Sequence, residues 1–177
     1  RRGWREFYVG VTAQRIAADM KANGGLVTLA DMKAYVARER TPLRTTYRGH
    51  EILTIPPPSS GGIALIEMLH MLEPHDLAAL GPGSSASLHL LAEVMRRAFA
   101  DRAEYLGDTD FVKVPVEVLT SVPYAMRRAS SIDPRRATPS TEIGPGDVRI
   151  SHESEQTTHF TVIDRDGLVV TNTYTLN

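Results

Sequence analysis

Glu153-Ser154-Glu155-Gln156-Thr157-Thr158-His159 is the stretch on which the fold and chemistry of this chain turn. A carboxylate-rich loop leads into a Thr pair at the start of an alternating segment. A second Thr cluster follows, and the chain stops at Asn177. A threonine hydroxyl is a weak nucleophile, and no strong base stands beside it in this sequence. The simplest activator is its own α-amine, once the bond before it is cut. The pattern is that of a threonine-nucleophile site interrupted mid-domain.

The residues after Thr157 predict a hairpin. Thr158 to Ile163 alternates, Asp164-Arg165-Asp166-Gly167 marks a turn, and Leu168 to Leu176 is the returning strand. If Asp164 pairs with Leu168 across a three-residue loop, Thr157 lies opposite Thr175. A two-residue loop pairs Thr157 with Tyr174 and puts Thr175 on a diagonal. Either register brings Thr175 and Asn177 back beside Thr157. Two hydroxyls and one amide fit a nucleophile held by hydrogen bonds. His159 reads as structural rather than as a general base, because alternation sends adjacent strand residues to opposite faces.

Upstream, helices and short strands alternate. Thr12 is expected to cap a helix with Ile16, Ala17 and Met20 on its apolar side, stopped by Asn23-Gly24-Gly25. Thr28 caps a second, with Leu29, Met32, Tyr35 and Val36 as its expected buried stripe. Leu43–Tyr47 and Glu51–Ile55 read as strands around Arg48-Gly49-His50. Pro56-Pro57-Pro58-Ser59-Ser60-Gly61-Gly62 is the strongest breaker. Ser59 or Ser60 can cap the helix after it, which is apolar almost all round from Ile63 to Leu72 and therefore buried. That loop equally fits a rigid turn or an active-site wall. The longest helix is expected from about Ser84 to Tyr105, with Leu88, Leu91, Met95, Ala98, Phe99 and Arg102 along one side. A shorter one spans about Tyr124 to Ile132. Residues 133–154 turn to Pro, Gly, Ser, Thr and charge, the composition of an exposed or mobile connector. Asp101, Arg102, Glu104 and Asp108 fit a helix-end network of ion pairs and caps better than a catalytic cluster. Glu153 is not assigned as a base.

Composition narrows the function classes. The chain has 177 residues, enough for one domain with a core, with 42% apolar and 23% charged residues. A net charge of −1 gives no basic field for nucleic acid. Six His show no metal-ligand spacing, and the absence of Cys excludes a disulfide framework, a zinc-thiolate site and a cysteine nucleophile. No apolar run approaches the roughly 18 residues of a membrane span. Arg1-Arg2-Gly3-Trp4 does not read as a natural start, and both ends read as mid-domain.

Gln156-Thr157-Thr158-His159, the Asp-Gly turn and Thr173-Tyr174-Thr175-Leu176-Asn177 resemble the processing site of γ-glutamyltranspeptidases. Gly24-Gly25, Glu39-Arg40-Thr41-Pro42, Tyr47-Arg48-Gly49, Pro56 to Gly62, Ala100-Asp101-Arg102, Tyr105-Leu106-Gly107-Asp108 and Asp110-Phe111-Val112 resemble that family in the right order. The resemblance runs from about Phe7 to Asn177.

That resemblance implies an N-terminal-nucleophile hydrolase of the α+β class, a four-layer αββα sandwich that is incomplete here. Residues 1–156 would be the C-terminal part of a large subunit, and 157–177 the first hairpin of a small one. The precursor would cut itself between Gln156 and Thr157. Thr157 would then attack γ-glutamyl amides such as glutathione, and pass the γ-glutamyl group to water, an amino acid or a dipeptide. Thr175 resembles the second threonine that hydrogen-bonds the nucleophile. Asn177 resembles a residue that binds the α-carboxylate or α-amino end of the γ-glutamyl group. The family's substrate-binding Arg would lie before Arg1. Its acidic substrate-binding residue, Ser pair and Gly-Gly oxyanion hole would lie beyond Asn177. Losing an oxyanion-hole donor alone costs about 10²–10³ in rate, so this stretch by itself is expected to be inactive. Glu155 departs from the expected polar amide or other variable residue. No cofactor or metal is implied. A periplasmic, secreted or membrane-associated location is implied, as is a large/small subunit heterodimer. The alternatives are a cephalosporin or glutaryl acylase of the same fold group, which shares the nucleophile, and an inactive homologue serving as a binding or structural module.

Overall fold

The computed structural model describes residues 3–148, 157–163 and 169–175. The chain divides into two compact units, 1–40 and 41–177.

In the first unit, helices α1 (Trp4–Val9), α2 (Val11–Ala22) and α3 (Leu29–Ala34) pack on one another. Thr12 is not the cap of α2, which begins one residue earlier with Gly10 at its N-cap. The Thr12 amide, one of the orphan donors of the first turn, instead donates to Glu6 Oε1 of α1 at 3.4 Å. Asn23 and Gly24, with φ +75°, end α2 as expected. Thr28 does cap α3, in a capping box with Asp31. The Thr28 hydroxyl and amide hold the Asp31 carboxyl below its ordinary value. The expected stripe on α3 is corrected. The helix stops at Ala34, so only Met32 is buried, and Tyr35 leaves the helical register to stack on Tyr8 at 5.4 Å.

The second unit opens with the hairpin β1 (Leu43–Tyr47) and β2 (His50–Thr54). Tyr47 pairs with His50 across Arg48 and Gly49, both at positive φ, which matches the right-handed strand twist. Leu43, Thr45 and Tyr47 form the half-buried face, and β1 packs on helix α4 (Gly61–Leu72). Neither Ser59 nor Ser60 caps α4 through its first-turn side-chain geometry as a standard N-cap. Ser59 Oγ accepts weakly from the Gly61 amide at 3.4 Å, and Ser60 Oγ accepts from Arg102 Nε at 2.8 Å. The Pro56–Gly62 breaker is therefore tied to the longest helix.

Helices α5 (Leu77–Leu80), α6 (Ser85–Tyr105), α7 (Val116–Leu119) and α8 (Val122–Ala129) follow. Ala64, Met71 and Leu72 of α4, Leu90, Val94 and Ala98 of α6 and Ala125 of α8 make one core cluster. Ile63, Tyr105, Leu119 and Tyr124 make a second. Helix α6 begins after Ser84, whose hydroxyl accepts from the Ser87 amide. Of the side expected, Ala98 is buried, but most of the buried face lies elsewhere. Leu88 is 57% exposed, and Met95 and Phe99 are also exposed, whereas Glu93, Arg97 and Asp101 are no more than 2% exposed.

Strands β3 (Thr157–Ile163) and β4 (Val169–Thr175) form an antiparallel hairpin. Its register is that of a three-residue loop between Asp164 and Leu168, with Ile163 opposite Val169. The loop residues lie outside the described residues.

Gly62 sits where the first turn of α4 meets the end of β2. A Cβ there would fall 1.9 Å from the Ile55 carbonyl oxygen, whereas one at Gly61 would meet only Ser59 Oγ at 3.6 Å. Gly62→Ala is expected to destabilise the full-length protein by about 1–3 kcal/mol in urea unfolding. Gly61→Ala should stay within about 0.5 kcal/mol of wild type. Equal effects would show that the close approach is unimportant.

Candidate active site

Hairpin β3–β4 sets Thr157 opposite Thr175, Thr158 opposite Tyr174 and His159 opposite Thr173. Directly opposed positions of an antiparallel pair lie about 4.5–5.5 Å apart between Cα atoms and share a face of the sheet. The nucleophile candidate and its orienting candidate are thus brought together by backbone pairing. The alternative register, with Tyr174 opposite Thr157, is not adopted. His159 needs correction. It stands two positions beyond Thr157, so alternation places the two on the same register face, while Thr158 takes the other. Gln156 and Asn177 lie outside the described residues.

The segment leading to this hairpin had read as an exposed or mobile connector. Most of its side chains between 133 and 148 are exposed, but its backbone is fastened to α6. Glu93, Arg97, Asp101 and Tyr105 recur every four residues, which puts them on one face of the helix. Glu93 Oε1 accepts from the Thr138 amide at 2.9 Å, and Glu93 Oε2 accepts from the Thr138 hydroxyl at 2.7 Å. Arg96 donates to the Thr138 carbonyl. Eight residues on, Asp101 Oδ1 accepts from the Gly146 amide at 2.6 Å. The Tyr105 hydroxyl donates to the Gly146 carbonyl and accepts from the Val148 amide at 3.2 Å. A Cβ at Gly146 would fall 2.1 Å from the Tyr124 hydroxyl, so the close approach requires glycine.

Two arginines complete the network. Arg97 donates to both the carboxylate and the carbonyl of Glu93, to the Arg128 carbonyl, and to the hydroxyl and carbonyl of Ser131. Arg128 donates from Nε to Asp101 Oδ2 at 2.8 Å, and from Nη2 to the carbonyls of Arg97 and Gly144. Asp101 is thereby an ion-pair and backbone anchor, as the helix-end network reading expected. Its partners, Arg128 and the Gly146 amide, were missed, as was the burial of Glu93, Arg97 and Tyr105 on the same helix face. Opposite charges at four-residue spacing were the available signal, but an exposed ion-pair row has the same pattern.

Charge is distributed unevenly in this cluster. Burial would raise the Glu93 carboxyl, but hydrogen bonds from Thr138 and Arg97 overcome that and hold it at about 2. Burial, and then hydrogen bonding to Asp101 and its charge, pushes Glu67 of α4 up to about 10. Glu67 is therefore protonated at neutral pH. Burial and the charge of Asp101 also push the Tyr124 hydroxyl up. Three residues further along α4, burial lowers His70, which meets Thr45 Oγ1 through Nε2 at 2.7 Å. Among the described residues no group of three or more His, Asp or Glu is arranged to hold a metal, and no helix is long and apolar enough to cross a membrane.

The profile of the gamma-glutamyltranspeptidase family matches residues 1–177. The chain belongs to this family. It is 50% identical over 172 residues to the glutathione hydrolase proenzyme of Escherichia coli K12, covering 97% of this chain and 30% of that protein. It is 43% identical over 175 residues to the acylase ACY 1 proenzyme of Pseudomonas sp. strain V22, covering 99% of this chain and 30% of the relative. Its structure resembles the gamma-glutamyltranspeptidase of Helicobacter pylori with a TM-score of 0.73 at 45% identity, covering 85% of this chain and 43% of the other. The chain thus spans about a third of the length of the curated relatives it matches. An α+β fold, with helices and small antiparallel sheets, is common ground with the expectation.

The buried carboxyls predict opposite pH effects. Glu67 keeps its proton in the folded state up to about pH 10 but loses it near pH 4.5 when unfolded. The folded state binds the extra proton, so stability falls as pH rises through that window. Glu67→Gln should flatten the stability profile of the full-length protein between about pH 5 and 9, measured by urea unfolding. Glu93 has the reverse sign: its contribution is complete above about pH 4.5 and is lost as pH falls towards 2. An unchanged slope in Glu67→Gln would show that Glu67 is ionised in the fold.

Proposed function

We propose that the full-length protein is a self-processing threonine-nucleophile enzyme that cleaves γ-glutamyl amides. The observation that carries this is the pairing of Thr157 with Thr175 in a chain of this family. In the first reaction the Thr157 hydroxyl oxygen attacks the Gln156 carbonyl carbon. The C–N bond between the two residues breaks, the nitrogen takes up a proton, and an ester remains. Water then hydrolyses the ester and leaves Thr157 with a free α-amine. That amine serves as the local base for its own hydroxyl.

In turnover, Thr157 Oγ attacks the γ-amide carbon of glutathione or a related compound. The amine half leaves with a proton, and a γ-glutamyl ester forms. Water gives glutamate, while an amino acid or dipeptide amine gives a new γ-glutamyl product. Splitting the reaction through an acyl-enzyme permits both hydrolysis and transfer. Thr175 orients the nucleophile, and Asn177 binds the charged end of the γ-glutamyl group. Residues 1–156 would end the large subunit and 157–177 begin the small one. The hairpin would contribute central strands to a four-layer αββα sandwich, and the enzyme would work outside the cytoplasm or at a membrane.

A second reading is an acylase with the same nucleophile. The 43% identity to an acylase proenzyme favours it, and the 50% identity to a glutathione hydrolase proenzyme favours the first. The two differ in the substrate pocket rather than in the self-cleavage chemistry.

Intact mass of the purified full-length protein after incubation tests the common step. Two fragments are expected, the smaller beginning at Thr157. Thr157→Ala should abolish both cleavage and turnover, and Thr157→Ser should retain part of each. A chain that stays whole would favour an inactive binding or structural homologue. Release of cysteinylglycine from glutathione, set against release of the acyl group from an acylase substrate, separates the two enzyme readings.

A further inference from the structure

The polar face of α6 does more than fill a helix interface. Its anchors fall at Thr138 and at Gly144 to Val148, and the second set lies nine residues before Thr157. The same helix holds Ser60 of the Pro-rich breaker through Arg102. A chain pinned at Val148 can extend at most about 30 Å before it reaches Thr157. Released at Val148 alone, it stays pinned at Gly146 by Asp101, eleven residues before Thr157; released from Gly144 to Val148 together, it would next be pinned at Thr138, nineteen residues before Thr157. Released there too, it would be held by His89 on the Asp133 carbonyl. Each release enlarges the volume in which the bond before Thr157 must find its reactive arrangement.

We propose that Glu93, Asp101 and Tyr105 are positioning residues for self-cleavage: they hold the backbone of 138–148 against α6 and thereby restrict the Gln156–Thr157 bond to the region where Thr157 reacts. The proposal rests on the self-processing reading above. It assigns these side chains no contact with substrate. Two features separate them from ordinary core residues. Their acceptors and donors are spent on leader backbone rather than on helix partners alone. The anchored backbone amides and carbonyls, of Thr138, Gly146 and Val148, belong to a segment with little buried side chain of its own. The leader is consequently held by these hydrogen bonds more than by apolar packing.

Tyr105→Phe is the cleanest test, because it keeps the ring in its core cluster and removes only the hydroxyl. In the full-length precursor, the first-order rate of appearance of the fragment beginning at Thr157 should fall about 1.4-fold, the ratio expected when the free leader lengthens from nine to eleven residues, because Asp101 still holds the Gly146 amide. Adding Asp101→Ala, which frees Gly146 and leaves Gly144 held by Arg128, should bring the loss to about twofold. Once matured, the Tyr105→Phe enzyme should keep wild-type kcat and KM, since its hydroxyl serves the leader. Val94→Ala in the other core cluster is the control for lost stability. It should lower the unfolding midpoint more than Tyr105→Phe and leave the cleavage rate unchanged. Wild-type cleavage rates in both Tyr105→Phe and the double variant would overturn the positioning role while leaving self-processing intact. A slowing in Val94→Ala that matches its stability loss would overturn it too. A wild-type chain that never cleaves would remove the reading on which it rests.

Discussion

Three charges on one face of α6 are shut away from water, and much of the second unit is arranged around that constraint. Taking an ion out of water costs several kcal/mol unless it is paired and its remaining hydrogen-bonding capacity is filled. Glu93, Arg97 and Asp101 meet that condition only with help from elsewhere in sequence. Arg97 reaches Arg128 and Ser131 at the end of α8, and Arg128 reaches back to Asp101 and to the Arg97 carbonyl. The carboxylates fill their last positions with amides of the leader. Helix α6 can therefore bury this face only when α8 and residues 138–148 are both in place. The network is a condition for docking more than a source of net stability.

This arrangement joins parts of the chain with different tasks. Helix α4 is the apolar centre, placed against β1 and the breaker by the close approach at Gly62. It also brings Glu67 beside Asp101, where a second ionised carboxylate would be too costly, so Glu67 holds a proton. The leader follows α8, crosses the polar face of α6 and continues towards Thr157. A threonine that acts on its own preceding peptide bond needs that bond presented in a narrow range of conformations. In the self-cleavage we propose, a leader anchored through backbone hydrogen bonds supplies such a restriction.

Local signals were legible wherever a backbone rule left one solution. The cap at Thr28, the helix start near Ser84, the stop at Asn23-Gly24 and the Arg48-Gly49 hairpin could be read from residue type and spacing. So could the opposition of Thr157 and Thr175, given a loop length. The errors arose where a residue's partner lay far along the chain. Thr12 looked like a cap, but Glu6 of the preceding helix supplied the acceptor. Leu88, Met95 and Phe99 had the spacing of an apolar stripe, yet the buried face is the one on which Leu90, Val94 and Ala98 lie beside Glu93, Arg97 and Asp101. Hydrophobic periodicity alone could not rank the two faces, because the polar stripe becomes buriable only through arginine and backbone donors many residues away. The leader's composition correctly indicated exposure but could not show that its backbone was held. His159 was misplaced by a different fault, since two steps along a strand return to the same face.

The sequence by itself determined the family, through ordered motifs, and the local pairing that sets Thr157 beside Thr175. Strand pairing across a short turn has few registers, and each reads directly as a residue count. Tertiary structure alone decided which face of α6 is interior, which carboxyl is charged and which neutral, and how the leader is attached. Those outcomes depend on desolvation and on hydrogen-bond partners that meet only in the folded chain. Spacing along one helix cannot report whether a distant amide will arrive to satisfy a buried charge.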